Sequence, residues 1–523
     1  MPAPSTASDI ASTSLDPAST AGHRAGRHAW RGVLASIDIG SNSFRLELGQ
    51  LLRGQYRRID YLKETVRLGA GLDADGRLTE AAAQRGLACL QRFRARLAGI
   101  PAPQLRAVAT QTLREAANRN EFLLRAEEAL GHPIEVIAGR EEARLIYKGV
   151  SRLQPSELPR LVIDIGGRST ELILGQGSTP LVAESFRVGS VSLSASYFPE
   201  GRYSAAAFQA AQIAAGAELE EALGLFRPEQ WREALGSSGT AGAVSQLLAA
   251  SGITDGSITP AGLRWCMERC IEAGHQDRLD LPGLRPERRA VLGGGLAILA
   301  TLASQFDIAA LQPAKGALRQ GVIFDLDERL RAARDPAGHD LRDETVIELQ
   351  QRFGVDAEQA RRVRDVALAL HAQVQPGADH DTRRELGWAA ALHEVGMMVS
   401  HHDHHRHSAY LLTHADAPGF SQNQQRRIGE LVLGQRGGLR KTEEALADPT
   451  FPWQLLALRL AVLLCHARIP LPADVARLMR SDRAARLTLD PPWAAAHPRS
   501  MHLLREEALA WSKVRSLRLL IGA

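Results

Sequence analysis

Up to about residue 325 the apolar positions come in short β-branched runs separated by turn residues and helical patterns. Two of these runs carry the same pattern. Residues 37–49 read IDIGSNSFRLELG and residues 163–175 read IDIGGRSTELILG; without a gap they agree at eight of thirteen positions. In each copy a β-branched run (LASIDIG, LVIDIGG) ends in glycine, the punctuation of a strand entering a tight turn. A second apolar run (FRLELG, ELILG) then reads as the returning strand. A duplicated hairpin predicts duplicated architecture, here two related domains facing each other across a cleft.

Other stretches complete this α/β pattern. EALGSSGTAGAVSQLLAA predicts a short strand, a turn at Gly236-Ser237-Ser238-Gly239-Thr240 and an apolar-periodic helix. IEVIAG predicts a strand and REEARLIYKGV a helix, on which Glu142 shares a face with Leu145 and Ile146. Glu141 lies about 100° away, on the polar flank with Arg144 and Lys148. After about residue 330 the spacing becomes helical, through VIELQQRFGVDAEQARRVRDVALALHAQV and ELGWAAALHEVGMMVS.

Composition narrows the setting. A chain of 523 residues is expected to hold three or four domains at about 150 residues each. Hydrophobic residues at 45% and aromatics at 5% imply ample, mostly aliphatic cores. Four cysteines (Cys89, Cys266, Cys270, Cys465) are too few for a disulfide framework, so a reducing cytoplasm is expected. Cys266 and Cys270 stand one helical turn apart with no second Cys or His pair to make a zinc site. Residues 1–32, rich in Ser, Ala, Thr and Pro with no apolar segment, read as a disordered tail rather than a signal peptide. The longest uncharged stretch, AVLGGGLAILATLASQF, is too short and glycine-broken to span a bilayer. A net charge of +4 is a mild bias toward anionic partners.

The chemistry begins at the hairpin tips. Turns of Gly, Ser and Asn expose backbone N–H groups in a concavity suited to phosphate. Two such tips across a cleft form the pattern of the actin-like phosphotransfer fold. Asp38 and Asp164 end their strands at the cleft floor, where a carboxylate can hold Mg²⁺ directly or through water. The helix start at 236–240 adds free N–H groups and a positive dipole end. Glu142, pointing inward, is costly unless paired or used in chemistry. Glu171 holds the place that Arg45 holds in the first repeat. A carboxylate beside a phosphate nest repels substrate unless it positions an attacking water, so one hairpin grips while the other grips and activates water.

ASIDIGSNSFRLEL, AVATQTLREAANRNEFL, IEVIAGREEARLIYKGV, LVIDIGGRSTELILG, ALGSSGTAGAV and AKGALRQGVIFDL occur in order and together resemble the exopolyphosphatase/guanosine pentaphosphate phosphohydrolase family. The likeness is specific over residues 33–325 and continues weakly through GWAAALHEVGMMVSHHDHHRHSAYLLTHADAPGF, as in the family's longer members. The resemblance implies two actin-like (ribonuclease H-like) domains around a central cleft. It also implies hydrolysis of terminal phosphate from inorganic polyphosphate or pppGpp, with Mg²⁺. It makes Glu142 and Glu171 the catalytic carboxylates and assigns Asp164 to the metal. Ser41, Asn42, Ser43, Arg114, Gly166, Gly167, Ser169 and residues 237–240 fall to the phosphate chain, Arg114 on the resemblance alone. Arg168 departs from the family, which usually has a third glycine there; its side chain contacts phosphate or points into solvent.

The likeness of the last third is to a degenerate HD-type helical domain, with His393-Glu394 where a working site needs His-Asp. The histidines of HHDHHRH (401–407) are expected to be solvated or packed, so no second catalytic centre is predicted. Arg-rich terminal segments offer a basic surface to a long polyanion. The expected division is tail 1–32, actin-like domains 33–146 and 147–330, an α-helical HD-like domain 331–480 and a small C-terminal domain 481–523. Exopolyphosphatase is the leading expectation, pppGpp 5′-phosphohydrolase the alternative, and a non-catalytic sensor of polyphosphate or (p)ppGpp a third. An actin-like ATPase or sugar kinase would not require the carboxylate pair. A homodimer is expected, with no nucleic-acid partner; a peripheral membrane contact is left open.

Overall fold

The computed structural model describes residues 32–522 except 336, 337, 339 and 473; the expected tail, Gly32 apart, lies outside the described residues. Strands β1 (Val33–Ile39), β2 (Phe44–Leu52), β3 (Gln55–Glu64), β4 (Leu105–Ala109) and β5 (Ile134–Val136) form a sheet in the order β3-β2-β1-β4-β5. Strands β6 (Arg160–Ile165), β7 (Thr170–Gln176), β8 (Thr179–Phe186), β9 (Glu233–Gly236) and β10 (Gln312–Pro313) form a second in the order β8-β7-β6-β9-β10. Each sheet has two antiparallel joins on one side of its central strand and two parallel joins on the other. The repeated sequence is thus a repeated topology, the two actin-like domains expected. All seven residues of β1 are buried, as a central strand covered on both faces requires.

The two hairpins share their irregularities. The pairing of β2 with β3 slips between Leu48 and Gly49, and that of β7 with β8 between Leu174 and Gly175. Both glycines make room for a tyrosine: a Cβ at Gly49 would lie 2.5 Å from the Tyr56 ring, and one at Gly175 2.3 Å from the Tyr147 ring.

Two helices tie the lobes together by crossing over. Gly139–Leu153 follows β5 of the first sheet but packs on β7 and β8 of the second. Leu318–Arg334 follows β10 of the second sheet but packs on β1, β2 and β4 of the first. They meet at two glycines: a Cβ at Gly321 would fall 1.8 Å from the Leu145 carbonyl oxygen, and one at Gly149 2.3 Å from that of Ala317. The divisions expected at 146/147 and 330/331 fall inside these two helices because each helix belongs to one lobe by sequence and to the other by packing. An apolar cluster including Val108, Leu145, Ile146, Val162, Ile173 and Val322 fills the junction.

Residues from Leu341 form a helical region with its own core, built around the nearly all-buried helix Phe451–Leu464. It ends in a small sheet of β11 (Ala476–Ser481), β12 (Ala484–Leu489) and β13 (Arg518–Gly522), whose exposed side chains include Arg477, Arg480, Arg486 and Arg518. The helical region docks on the first lobe by hydrogen bonds. Asn423 Nδ2 donates to the Ile134 carbonyl (3.2 Å), and Asn423 Oδ1 accepts from Val136 N–H (3.2 Å), extending the edge strand β5. Gly419 N–H donates to Glu141 (2.9 Å), while Arg329 donates to the Gly419 carbonyl (2.7 Å). Beneath this joint Asp325 accepts from Arg106, Arg144 and Arg329, each at 2.8 Å, and these cations hold its carboxyl well below the usual range.

His393 is buried with Nδ1 against the Ala390 carbonyl (2.7 Å), and Glu394 is paired with Arg468 (2.7 Å). His404 and His405 are buried and held down to about 4 by burial, hence uncharged near neutrality. Among the described residues no three His, Cys, Asp or Glu side chains converge as a metal cage.

Candidate active site

The two hairpin tips face one cavity of about 260 Å³ between the lobes. Asp38, Ser41, Asn42 and Ser43 line it from the first lobe, and Asp164, Gly166, Gly167 and Ser169 from the second. Ser237, Ser238, Gly239 and Thr240 close it at the start of the helix Gly239–Ala250, and Glu142 enters from the crossing helix. The tips nearly touch: a Cβ at Gly167 would lie 3.1 Å from Ser41 Cβ. Ser43 Oγ is buried and has no hydrogen-bond partner. Ser238 is both a cavity residue and the helix N-cap, its hydroxyl accepting from Thr240 and Ala241 N–H at 3.1 and 3.0 Å.

Three residues expected at the site stand apart from the lining. Gly236 ends β9, and its missing side chain leaves room for Ala241 Cβ, which a Cβ there would meet at 2.6 Å. Glu171 lies buried behind the wall, accepting from Ser185 Oγ (2.8 Å). Arg114, read as a phosphate ligand, donates instead to Glu142 Oε2 (2.7 Å) and to the Ile137 carbonyl (3.0 Å), and Gln111 holds it from behind. Arg168 neither lines the cavity nor points into solvent: it spans the cleft to Glu115 (2.8 Å). Its φ is not positive, so the missing glycine leaves no strain.

The register explains the exchange of Arg45 for Glu171. Arg45 pairs across its hairpin with Asp38, and Glu171 across its own with Asp164. In the first lobe this makes an ion pair, Arg45 Nη1 to Asp38 Oδ2 at 2.9 Å. In the second it sets carboxylate near carboxylate. Burial, with Asp38 and Asp164 nearby, pushes Glu142 up to about 7 against the pull of Arg114. Burial, Glu142 and Asp164 together push Glu171 well above the carboxylate range. Burial, with Asp38 beside it, raises Asp164 despite the Ser237 hydroxyl it accepts from (2.9 Å).

Cations line the same cavity. Lys63, Arg288 and Arg319 line the cavity with Arg45 and Tyr61. Burial, then Arg288 and Arg45, lower Lys63 to about 8. The Arg288 guanidinium lies over the helix start, 2.2 Å from where a Gly239 Cβ would be. The cavity therefore carries both signs of charge, joined at the Arg45–Asp38 pair. Lys63, Arg288 and Arg319 come from three separate elements, which only the fold brings together.

Glu171 gives a stability test. Its folded pKa lies above its unfolded value, so its contribution is greatest below the unfolded pKa and is lost as pH rises through the folded one. Glu171→Gln should raise Tm at pH 8 by roughly 2–4 °C, the shift about 1 kcal/mol gives in domains of this size, and by less at pH 5. An equal gain at both pH values, read by scanning calorimetry, would exclude a buried titrating carboxyl.

Fold and cavity define the class first: a two-lobed actin-like protein with paired Gly/Ser hairpins facing one cleft. The chain belongs to the Ppx/GppA phosphatase family, whose model matches residues 53–330; a model for Ppx/GppA phosphatase domain III matches residues 341–508. Similar proteins include the guanosine-5′-triphosphate,3′-diphosphate pyrophosphatases of Vibrio cholerae serotype O1 (37% identical over 91% of this chain and 95% of that one) and Aeromonas hydrophila (37% over 89% and 94%). The crystal structure of an exopolyphosphatase-like protein matches at TM-score 0.53 and 25% identity, over 57% of this chain and 99% of that one. That of an exopolyphosphatase from Cytophaga hutchinsonii shares the fold at TM-score 0.51 and 24% identity, over 56% and 98%. Among the described residues no helix is long and apolar enough to cross a membrane.

Proposed function

We propose that this chain hydrolyses the terminal 5′ phosphate of guanosine-5′-triphosphate,3′-diphosphate, giving the 5′-diphosphate and orthophosphate. The observation that carries the reaction is one cavity that combines several cations with a buried carboxyl held near neutrality. The inner phosphates lie along Arg45, Lys63 and Arg288. The terminal phosphate sits between the hairpin tips, against the N–H groups at Gly167 and Gly239. Glu142, ionised on the alkaline side of about 7, orients the attacking water and takes its proton. The water oxygen bonds to the terminal phosphorus, the bond to the bridging oxygen breaks, and that oxygen leaves on the nucleotide. Arg114 aims Glu142, while Ser185 fixes Glu171 behind it.

The nucleotide is favoured over inorganic polyphosphate, the first expectation from sequence, by the two relatives named for it, whose likeness runs through the helical third. Polyphosphate remains the second reading, supported by the exopolyphosphatase-like neighbour and by a basic wall that recognises phosphate without a base. Phosphate release from pppGpp, long polyphosphate, short polyphosphate and ATP should give the highest kcat/KM with pppGpp. A higher value with long polyphosphate would reverse the order of the two readings.

The carboxylates suit a divalent cation, since beyond burial Asp38 and Asp164 raise Glu142, and Glu142 and Asp164 raise Glu171. They do not converge as a cage among the described residues. Asp164 and Asp38 would hold Mg²⁺ together with water and substrate oxygens, and the ion would neutralise charge on the phosphates. Asp164→Asn should raise the Mg²⁺ concentration for half-maximal rate about tenfold or more. An unchanged Mg²⁺ titration would make Asp164 structural.

A further inference from the structure

A second cavity, of about 590 Å³, opens behind the two glutamates. Gln111, Arg114 and Glu115 line it from the first lobe, Ser185 and Arg187 from the second, and Gln422 from the start of the helix Gln422–Gly434. Single hydrogen bonds join it to the phosphate cavity. Glu142 lines the phosphate cavity, and Arg114, its partner at 2.7 Å, lines this one. Glu171 is held at 2.8 Å by Ser185, which also lines this one. The carboxylates and their partners are therefore the partition between two cavities.

The rear cavity is charged in a particular way. Its one carboxylate, Glu115, is already taken by Arg168 (2.8 Å). Arg114 is tied to Glu142 and, through Nε, to Gln111 (2.9 Å). Arg187 is exposed, and among the described residues its guanidinium has no hydrogen-bond or ion-pair partner. A free cation at the outer end and a paired one at the inner end form a graded path for an anion.

The proposed reaction makes such an anion at the partition. In phosphoryl transfer the attacking and leaving oxygens stand roughly in line. Water held by Glu142 thus attacks from the Glu142 side, and the shortened nucleotide lies on the opposite side of the phosphorus. Orthophosphate is formed as HPO₄²⁻ between that nucleotide and the partition. Glu142 has by then taken the water's proton, so Arg114 has lost its counter-ion and is free to pair with the new anion. The proton passes from Glu142 to the departing ion, which leaves as H₂PO₄⁻ and restores the carboxylate.

We propose that orthophosphate leaves through this rear cavity, passed from Arg114 to Arg187, while the shortened nucleotide still fills the cleft. The proposal rests on the reaction proposed above and adds to it the order in which the products leave.

Product inhibition of the full-length enzyme reads that order. With a rear exit the nucleotide leaves last, so added ppGpp should compete with pppGpp, and added orthophosphate should lower the rate even at saturating pppGpp. With a single mouth the deeper product must wait, and the two patterns exchange. That exchange overturns the rear exit while leaving the hydrolysis standing, which the comparison of substrates tests separately. Arg187→Glu gives a second measurement. Acid-quenched samples count all orthophosphate formed, and a fluorescent phosphate-binding protein counts only what is free. In the variant, formation in the first turnover should keep its wild-type rate, while release slows about tenfold or more, and Arg187→Lys should restore it. Release as fast as in the wild type, or formation slowed as much as release, also overturns the proposal.

Discussion

Glu142→Gln should lower turnover ~10²-fold or more while leaving KM within a few-fold. The amide keeps the shape of the carboxyl and can still accept from Arg114, which stands 2.7 Å away. It cannot take a proton from water. The wild-type rate should also climb with pH through an apparent pKa near the value of about 7 that burial and the neighbouring aspartates impose. In the variant that limb should vanish. Substrate binding should survive because the basic wall of Arg45, Lys63 and Arg288 is untouched. Single-turnover phosphate release across pH separates the two quantities, and near-normal turnover in the folded variant would remove Glu142 from the chemistry.

Gly321→Ala should be nearly as damaging, although it lies outside the cavity. One methyl group would have to occupy space 1.8 Å from the Leu145 carbonyl oxygen, which belongs to the backbone of the other crossing helix and cannot swing aside. The helices must separate, at a cost of about 3 kcal/mol or more. Activity should fall as well, since the displaced helix carries Glu142. Gly224→Ala is the control, as a Cβ there meets nothing within 4 Å. Differential scanning calorimetry should show a loss of several degrees for Gly321→Ala and almost none for Gly224→Ala. Equal Tm values would mean that the crossing is looser than described.

Much of this fold was legible because hairpins are local. The two repeats carry their own register, so the pairing of Asp38 with Arg45 and of Asp164 with Glu171 follows from where each turn is centred. The inward face of Glu142 followed from helical spacing with Leu145 and Ile146. What stayed hidden depends on contacts between distant segments. Lys63 comes from an edge strand, Arg288 from the helix Pro286–Gln305 and Arg319 from the crossing helix; no window of sequence holds all three. Arg114 was visible only by resemblance, and its partner Glu142 lies 28 residues away. Arg168 could not be placed because the Glu115 it meets is 53 residues off, in the other lobe. The two crossing helices were invisible as such, since nothing in their own residues says which sheet they will cover.

The repeated halves differ at one paired position, so the two sides of the cleft are not equivalent. With Arg45 facing Asp38, the first hairpin offers a neutralised pair; with Glu171 facing Asp164, the second offers no cation of its own across the strands. On the proposed reaction only the leading phosphate reaches the water, so products are counted one at a time. Orthophosphate should appear from the first turnover in strict one-to-one ratio with the shortened substrate, and pyrophosphate should never accumulate.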